Sequence, residues 1–285
     1  MLKEKWIVSA ALVIGIFASP IAFGGMPSCK ALKDHDRQVV EDLFSSLHPY
    51  DYCDRTFKEC LSKKPGFSMV ERLADRICKK IGQKQDAGKI GRWLSRRARS
   101  VLGTGQKARI SLDGIPSAGD EKSPVILVEY ACPRCPFCSK ITPGLHHEIE
   151  QGRLKGKVRL YFKLFPLKSH EYSKEAALAF MAAGKQGKFW QYAVYSYRNF
   201  DKFCPGKLAA WAKDVGLDEA KFEKDMKNPE LIKRLVDMKK EGILNHVEAT
   251  PTFYMDGKKY VDEIDSNELI DVLEEEYARI TGKSE

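Results

Sequence analysis

The chain has 285 residues, 43% of them hydrophobic and 10% aromatic, with a formal net charge of +9. That is enough apolar material for a packed core, which excludes a chain that lives without one, and it is longer than one average domain. Eight cysteines, all beyond residue 28, make an even count compatible with complete pairing.

The first 24 residues read as a secretory signal. Lys3 and Lys5 precede an apolar stretch from Trp6 to about Phe23, and the small residues Ala22 and Gly24 offer a cleavage point. Pro20 interrupts the stretch, which falls short of the roughly 20 residues a spanning helix wants. An uncleaved membrane anchor is the alternative, and Pro27 argues against lipidation at Cys29. Export, into a periplasm, places the thiols in an oxidising compartment, where they default to disulfides. Nucleic acid is no partner there. Between Lys79 and Arg109 the only acid is Asp86, so this basic stretch reads as a solvated helical face, or as a surface for anionic lipid heads.

Residues 29–102 read as a small all-α domain. Val39, Val40, Leu43, Phe44 and Leu47 recur at helical spacing, Phe57, Cys60 and Leu61 share a second short helix, and Val70, Leu73, Ile77 and Ile81 a third, closed by Gly82. A fourth helix faces Ile90, Trp93, Leu94, Ala98 and Val101 inward. Four helices in roughly 75 residues give a thin core, so covalent ties are expected. Cys29, Cys53, Cys60 and Cys78 supply candidates for two disulfides, in any of three pairings. They lack the paired C-x-x-C spacing of a zinc site, and only His35 and His48 lie nearby.

Residues 103–124 are rich in Gly, Pro and Ser and read as a linker in which RISL, 109–112, forms a first short strand. PVILVEY then predicts a buried strand, SKITPGLHHEIEQG a helix kinked at Pro143, and KVRLYFKLFPL a second strand. A helical insertion follows from about 171 to 242, then a hairpin in TPTFYMDGKKYV and a terminal helix in NELIDVLEEEYARI. This order gives an α/β sandwich.

Between the first strand and its helix stands ACPRCPFCSK, with Cys132, Cys135 and Cys138 at every third position. C-x-x-C-x-x-C opens an iron–sulfur ligand run, but the fourth cysteine, after three intervening residues, is missing. A metal-binding or metal-delivery module using the three cysteines stays open as the alternative function. The chemistry of a strand–cysteine–helix junction points to a dithiol instead. Free N–H groups and the macrodipole at a helix N-terminus favour thiolate over thiol. Pro136 suits the first helical position, so Cys135 attacks, Cys138 resolves, and Cys132 lies in the turn before the helix.

PVILVEYACPRCPFCSKI, KLFPLKSH and VEATPTFYMDG together resemble a DsbA/DsbG-type thiol:disulfide oxidoreductase of the thioredoxin superfamily, over roughly residues 107–281. The resemblance implies a thioredoxin-like fold with a helical insertion, and disulfide exchange on the cysteines of protein clients with no cofactor. It also implies a redox partner protein that recharges the dithiol. Thr250-Pro251 matches the position of the family's cis-proline, whose backbone edge meets the client, and Thr250 resembles the isomerase branch. Pro136, Phe137, Thr250 and Pro251 are thus the expected substrate-binding residues. Glu129, six residues before Cys135, matches the family's acid beneath the site, where it would carry protons for Cys138. Lys163, the one charge in LYFKLF, is its candidate partner; a water-facing strand edge is the alternative for both. His146, His147, His170 and His246 are read as structural or surface, with no metal role.

Cys132 departs from the family pattern. Once the other cysteines are assigned, Cys132 and Cys204 remain, and a bond between them would close a loop of roughly 70 residues, worth about 4 kcal/mol. A three-thiol relay through Cys135 is the alternative. The N-terminal helical piece lies outside the resemblance. Disulfide isomerases of the DsbC/DsbG kind carry an N-terminal dimerisation domain, which implies a homodimer here.

Overall fold

The computed structural model describes residues 25–63 and 68–282; the expected secretory signal, residues 1–24, lies outside them. The chain divides into two compact units, Met1–Gln85 and Asp86–Glu285.

The first unit holds α1 (Pro27–Lys30), α2 (Asp34–Ser46), α3 (Phe57–Lys63) and α4 (Ser68–Gly82). The apolar faces meet where their spacing directs them: Val40 and Phe44 of α2, Phe57 of α3, and Leu73 and Ile77 of α4 are all fully buried, and the rings of Phe44 and Phe57 stack at 5.6 Å. Two disulfides close this thin core. Cys29–Cys78 ties α1 to α4, and Cys53–Cys60 anchors the segment entering α3.

The second unit begins with α5 (Ala87–Leu102), capped by the Asp86 carboxylate, which accepts from the Lys89 N–H at 2.9 Å. The expected all-α domain reached residue 102, but the boundary falls before this helix, and the reason is electrostatic. Arg97 of α5 is fully buried. It donates through Nε to Glu275 at 2.7 Å and through Nη2 to Asp271 at 2.6 Å, both on α12 (Ser266–Thr281), the terminal helix. Arg96 binds Asp262 at 2.9 Å and Glu263 at 3.0 Å. The basic stretch is therefore only in part a solvated face. Lys258 adds a further buried bond to Glu276, at 2.6 Å.

The sheet contains β1 (Ser117–Ala118), β2 (Val125–Ala131), β3 (Val158–Leu164), β4 (Thr252–Met255) and β5 (Lys258–Lys259), in the order β1-β3-β2-β4-β5. β2 and β3 run parallel, and every other pairing is antiparallel. Parallel neighbours need a crossover, supplied by α6 (Pro136–Glu150), which continues through Pro143. The insertion comprises α7 (Ser173–Lys185), α8 (Phe189–Arg198), α9 (Leu208–Asp214), α10 (Glu219–Met226) and α11 (Pro229–Leu244). The β4–β5 hairpin turns through Asp256 and Gly257, both at positive φ (50° and 80°), the two-residue geometry that favours Asp-Gly.

RISL is not a strand; the first strand is Ser117–Ala118. Side chains of α11, of its C-cap Asn245 and of β3 take the backbone groups of RISL in place of a ladder: Asn245 accepts from the Arg109 N–H, Glu241 from the Ser111 N–H, and Lys163 donates to the Ser111 carbonyl.

Removing one member of a buried charge cluster leaves the others uncompensated, at a cost of about 3–5 kcal/mol. Arg97→Ala is expected to destabilise the second unit by that amount, read as a lowered denaturant midpoint of the α/β transition. A shift below 1 kcal/mol would show that Asp271 and Glu275 do not depend on it.

Candidate active site

The site is built where β2 ends. Alternation along β2 sends Leu127, Glu129 and Ala131 to one face and Val128 and Tyr130 to the other. Pairing with β3 sets Glu129 opposite Phe162, and Tyr130 opposite Lys163. Glu129 and Lys163 therefore point to opposite faces, and the expected ion pair between them does not form. Lys163 binds Glu241 of α11, which also accepts from the Tyr130 hydroxyl at 2.7 Å. Glu129 is fully buried and accepts from the Thr142 hydroxyl at 2.5 Å, while its Oε2 has no hydrogen-bond partner. Burial is the main cause that pushes its carboxyl up to about 8, the Thr142 bond opposing. Burial thus disfavours a fixed anion at this position.

Cys132 to Cys135 form a turn closed by the Cys135 N–H donating to the Cys132 carbonyl at 3.0 Å. Cys135 caps α6 in extended conformation, Pro136 occupies the first turn, and the Ser139 N–H donates to the Cys135 carbonyl at 3.1 Å. This is the junction anticipated from the sequence. The Cys135 thiol donates to the Thr250 carbonyl at 3.1 Å, and the Thr250–Pro251 bond is cis. The hairpin strand thus faces the helix N-terminus across the reactive sulfur.

The two thiols are driven apart in acidity. Cys135 is held down to about 5, chiefly by a hydrogen bond from the Cys138 thiol, with further help from the N–H groups of Cys138 and Phe137, against the cost of its burial. Cys138, fully buried, is pushed well above the ordinary range by desolvation first, then by that same bond and by Glu129. One sulfur is a thiolate and the other a thiol over a buried carboxyl. Phe137 beside them is 62% exposed.

Cys132 and Cys204 are not bonded to each other. Both are free thiols, Cys132 buried and Cys204 exposed, and Cys132 Sγ instead lies 3.3 Å from His170 Nδ1. Sequence reasoning assigned His170 a structural or surface role and missed Thr142. Thr142 lies four residues after Cys138, hence on the same helix face, so a hydroxyl on that buried face was the available signal. Arg134, also missed, lies over the rings of Phe200 and Phe203 at 4.6 and 3.9 Å. Among the described residues, no group of three or more His, Cys, Asp or Glu side chains is placed to hold a metal ion. A cavity of about 1160 Å³ lined by Pro143, His146, Phe162, Trp190 and Met238 includes none of the three cysteines.

A family model described as Thioredoxin matches residues 113–275, more than half of the chain. The chain belongs to the thioredoxin family. Solved structures of similar fold include oxidised BdbD from Bacillus subtilis, with a TM-score of 0.54, 22% identity, and coverage of 60% of this chain and 97% of that one. Wolbachia pipientis alpha-DsbA1 gives a TM-score of 0.51, 20% identity, and coverage of 60% and 94%. Among curated proteins, Na(+)/H(+) antiporter NhaA 3 of Salinispora tropica is 28% identical over 172 residues, and NhaA 1 of Mycobacterium sp. strain KMS 31% identical over 161. The aligned stretches cover 58% and 55% of this thioredoxin-family chain but only 26% of either antiporter.

Because thiolate is the alkylated species, the rate of iodoacetamide reaction at Cys135 in the reduced protein is expected to rise with pH through a midpoint of about 5 and to level off above it. A midpoint near the ordinary thiol value of about 8.5 would contradict the site as described.

Proposed function

We propose that the chain is an exported thiol:disulfide interchange protein acting on the cysteines of protein clients through Cys135 and Cys138. The observation that carries this is the opposed acidity of two thiols three residues apart, the outer one a thiolate at a helix N-terminus and the inner one a thiol over Glu129. In the reductive direction, the Cys135 thiolate attacks one sulfur of a client disulfide and expels the other as a thiolate. Cys138 then gives its proton to the Glu129 carboxylate and attacks Cys135 Sγ, releasing the client thiol and closing the Cys135–Cys138 bond. The same steps run backwards oxidise a client. Direction follows from reduction potential and from the redox protein that recharges the pair.

Thr250 and Pro251 present backbone on which an extended client segment pairs, a strand-addition mode, and the exposed Phe137 ring and Pro136 border that path. Export is supported by the N-terminal apolar segment with its two lysines and by the two disulfides of the first unit, which belong to oxidising compartments. Among the described residues, no helix is long and apolar enough to cross a membrane. The antiporter relatives share with this chain about a quarter of their length, and ion exchange is not carried over from them.

Cys135→Ser is expected to abolish exchange. Cys138→Ser leaves attack intact, so acid quenching soon after mixing with a disulfide-bearing client should capture client joined to Cys135. Adducts on the Cys135→Ser chain with none on the Cys138→Ser chain would reverse the two roles.

A further inference from the structure

The dithiol accounts for two of the three thiols gathered at the head of α6. The third, Cys132, is fully buried, and its sulfur has a specific neighbour, His170 Nδ1 at 3.3 Å. Its position relative to the nucleophile is fixed by backbone. The Cys135 N–H to Cys132 carbonyl bond closes a four-residue turn, which holds the two Cα atoms within about 7 Å. A disulfide spans Cα separations of about 4.4–6.8 Å. Tyr197 braces the turn by donating to the same Cys132 carbonyl at 3.3 Å.

We propose that Cys132 is a second resolving thiol, with His170 as its proton acceptor, which releases clients stalled on Cys135 by forming a Cys132–Cys135 disulfide. The proposal rests on the dithiol reading above. In the step, the Cys132 S–H proton passes to the His170 ring nitrogen and the new thiolate attacks Cys135 Sγ. The Cys135–client S–S bond breaks as the Cys132–Cys135 bond forms, and the client sulfur leaves with the electron pair and takes up a proton. The chain ends oxidised by two electrons and the client reduced by two, so no outside oxidant is consumed. Burial keeps Cys132 protonated at rest, and a neutral thiol does not attack. Productive mixed disulfides are therefore spared until His170 takes the proton. The two resolving thiols mirror one another: Cys138 sits over Glu129, which accepts from the Thr142 hydroxyl, and Cys132 against a histidine.

The test uses the full-length chain carrying Cys138→Ser and Cys204→Ser, with the two disulfides of the first unit intact and oxidised glutathione as the client. Glutathione is expected to join Cys135 and then to leave, one equivalent per chain, as a Cys132–Cys135 bond appears. Tryptic cleavage after Arg134 separates these two cysteines, so their bond is read directly as a crosslinked pair of fragments. Adding Cys132→Ser should leave the glutathione in place. His170→Ala and His170→Gln should each slow release on the order of a hundredfold near neutral pH, the scale of a lost general base, with recovery at alkaline pH, where hydroxide removes the proton; a packing defect would not recover. A glutathionylated Cys135 that persists with no crosslinked fragment overturns the proposal, as does release that is indifferent to Cys132. If no glutathione joins Cys135 even with Cys132→Ser present, the dithiol reading itself fails, and this inference with it.

Discussion

A single sulfur at the start of a helix sets the terms for the rest of the second unit. Holding negative charge on Cys135 requires donors aimed at one point, and the helix end supplies them through its free N–H groups and the Cys138 thiol. The hairpin brings the Thr250 carbonyl to the same sulfur, where it accepts from the thiol form. The parallel β2–β3 pair needs α6 as its crossover, so the helix N-terminus must fall where β2 ends. The antiparallel pairing of β4 with β2 then carries the Thr250–Pro251 segment to the same edge.

Beneath the sulfurs the constraint is desolvation. Glu129 lies on the face that Ala131, Phe162 and the α7–α8 aromatics fill with apolar groups, and a carboxylate left there with a single donor is costly to ionise. That cost leaves a carboxyl poised near neutrality beneath the inner thiol, the property the proposed proton transfer requires. The far face of the same strand works differently. Tyr130, Lys163 and Glu241 satisfy one another and Ser111, pinning α11 and the 108–112 segment to the sheet.

Much of this was legible in the sequence because it is local. The strand, the cysteine at the helix start, Pro136 in the first turn and the Asp-Gly hairpin each declare themselves within a few residues. What was not legible depends on register and long-range charge. Glu129 and Lys163 both look like lone charges on apolar strands, and only the pairing that sets Glu129 opposite Phe162 shows that they face away from each other. Helix α5 has a clean apolar stripe that suits the preceding helices, yet Arg97 within that stripe seeks Asp271 and Glu275, more than 170 positions on. Glu274, Glu275 and Glu276 of the terminal helix are likewise buried. Cys132 and Cys204 were paired by elimination, which carries no geometry, and His170 had no sequence signal linking it to a cysteine 38 residues earlier.

The central claim is that near neutrality the reduced site holds one thiolate and one thiol, and the pH dependence of its reduction potential tests this most directly. Equilibrating the chain in glutathione buffers and quantifying the Cys135–Cys138 bond by peptide mapping keeps the first unit's cysteines out of the signal. If Cys135 is already ionised and Cys138 is not, reduction takes up one proton per two electrons. The potential should then fall by about 30 mV per pH unit between about pH 6 and 7, a tenfold change in equilibrium constant. A fall of about 60 mV per pH unit would mean that two protons are taken up, that both sulfurs are thiols in the reduced protein, and that the account of the site is wrong.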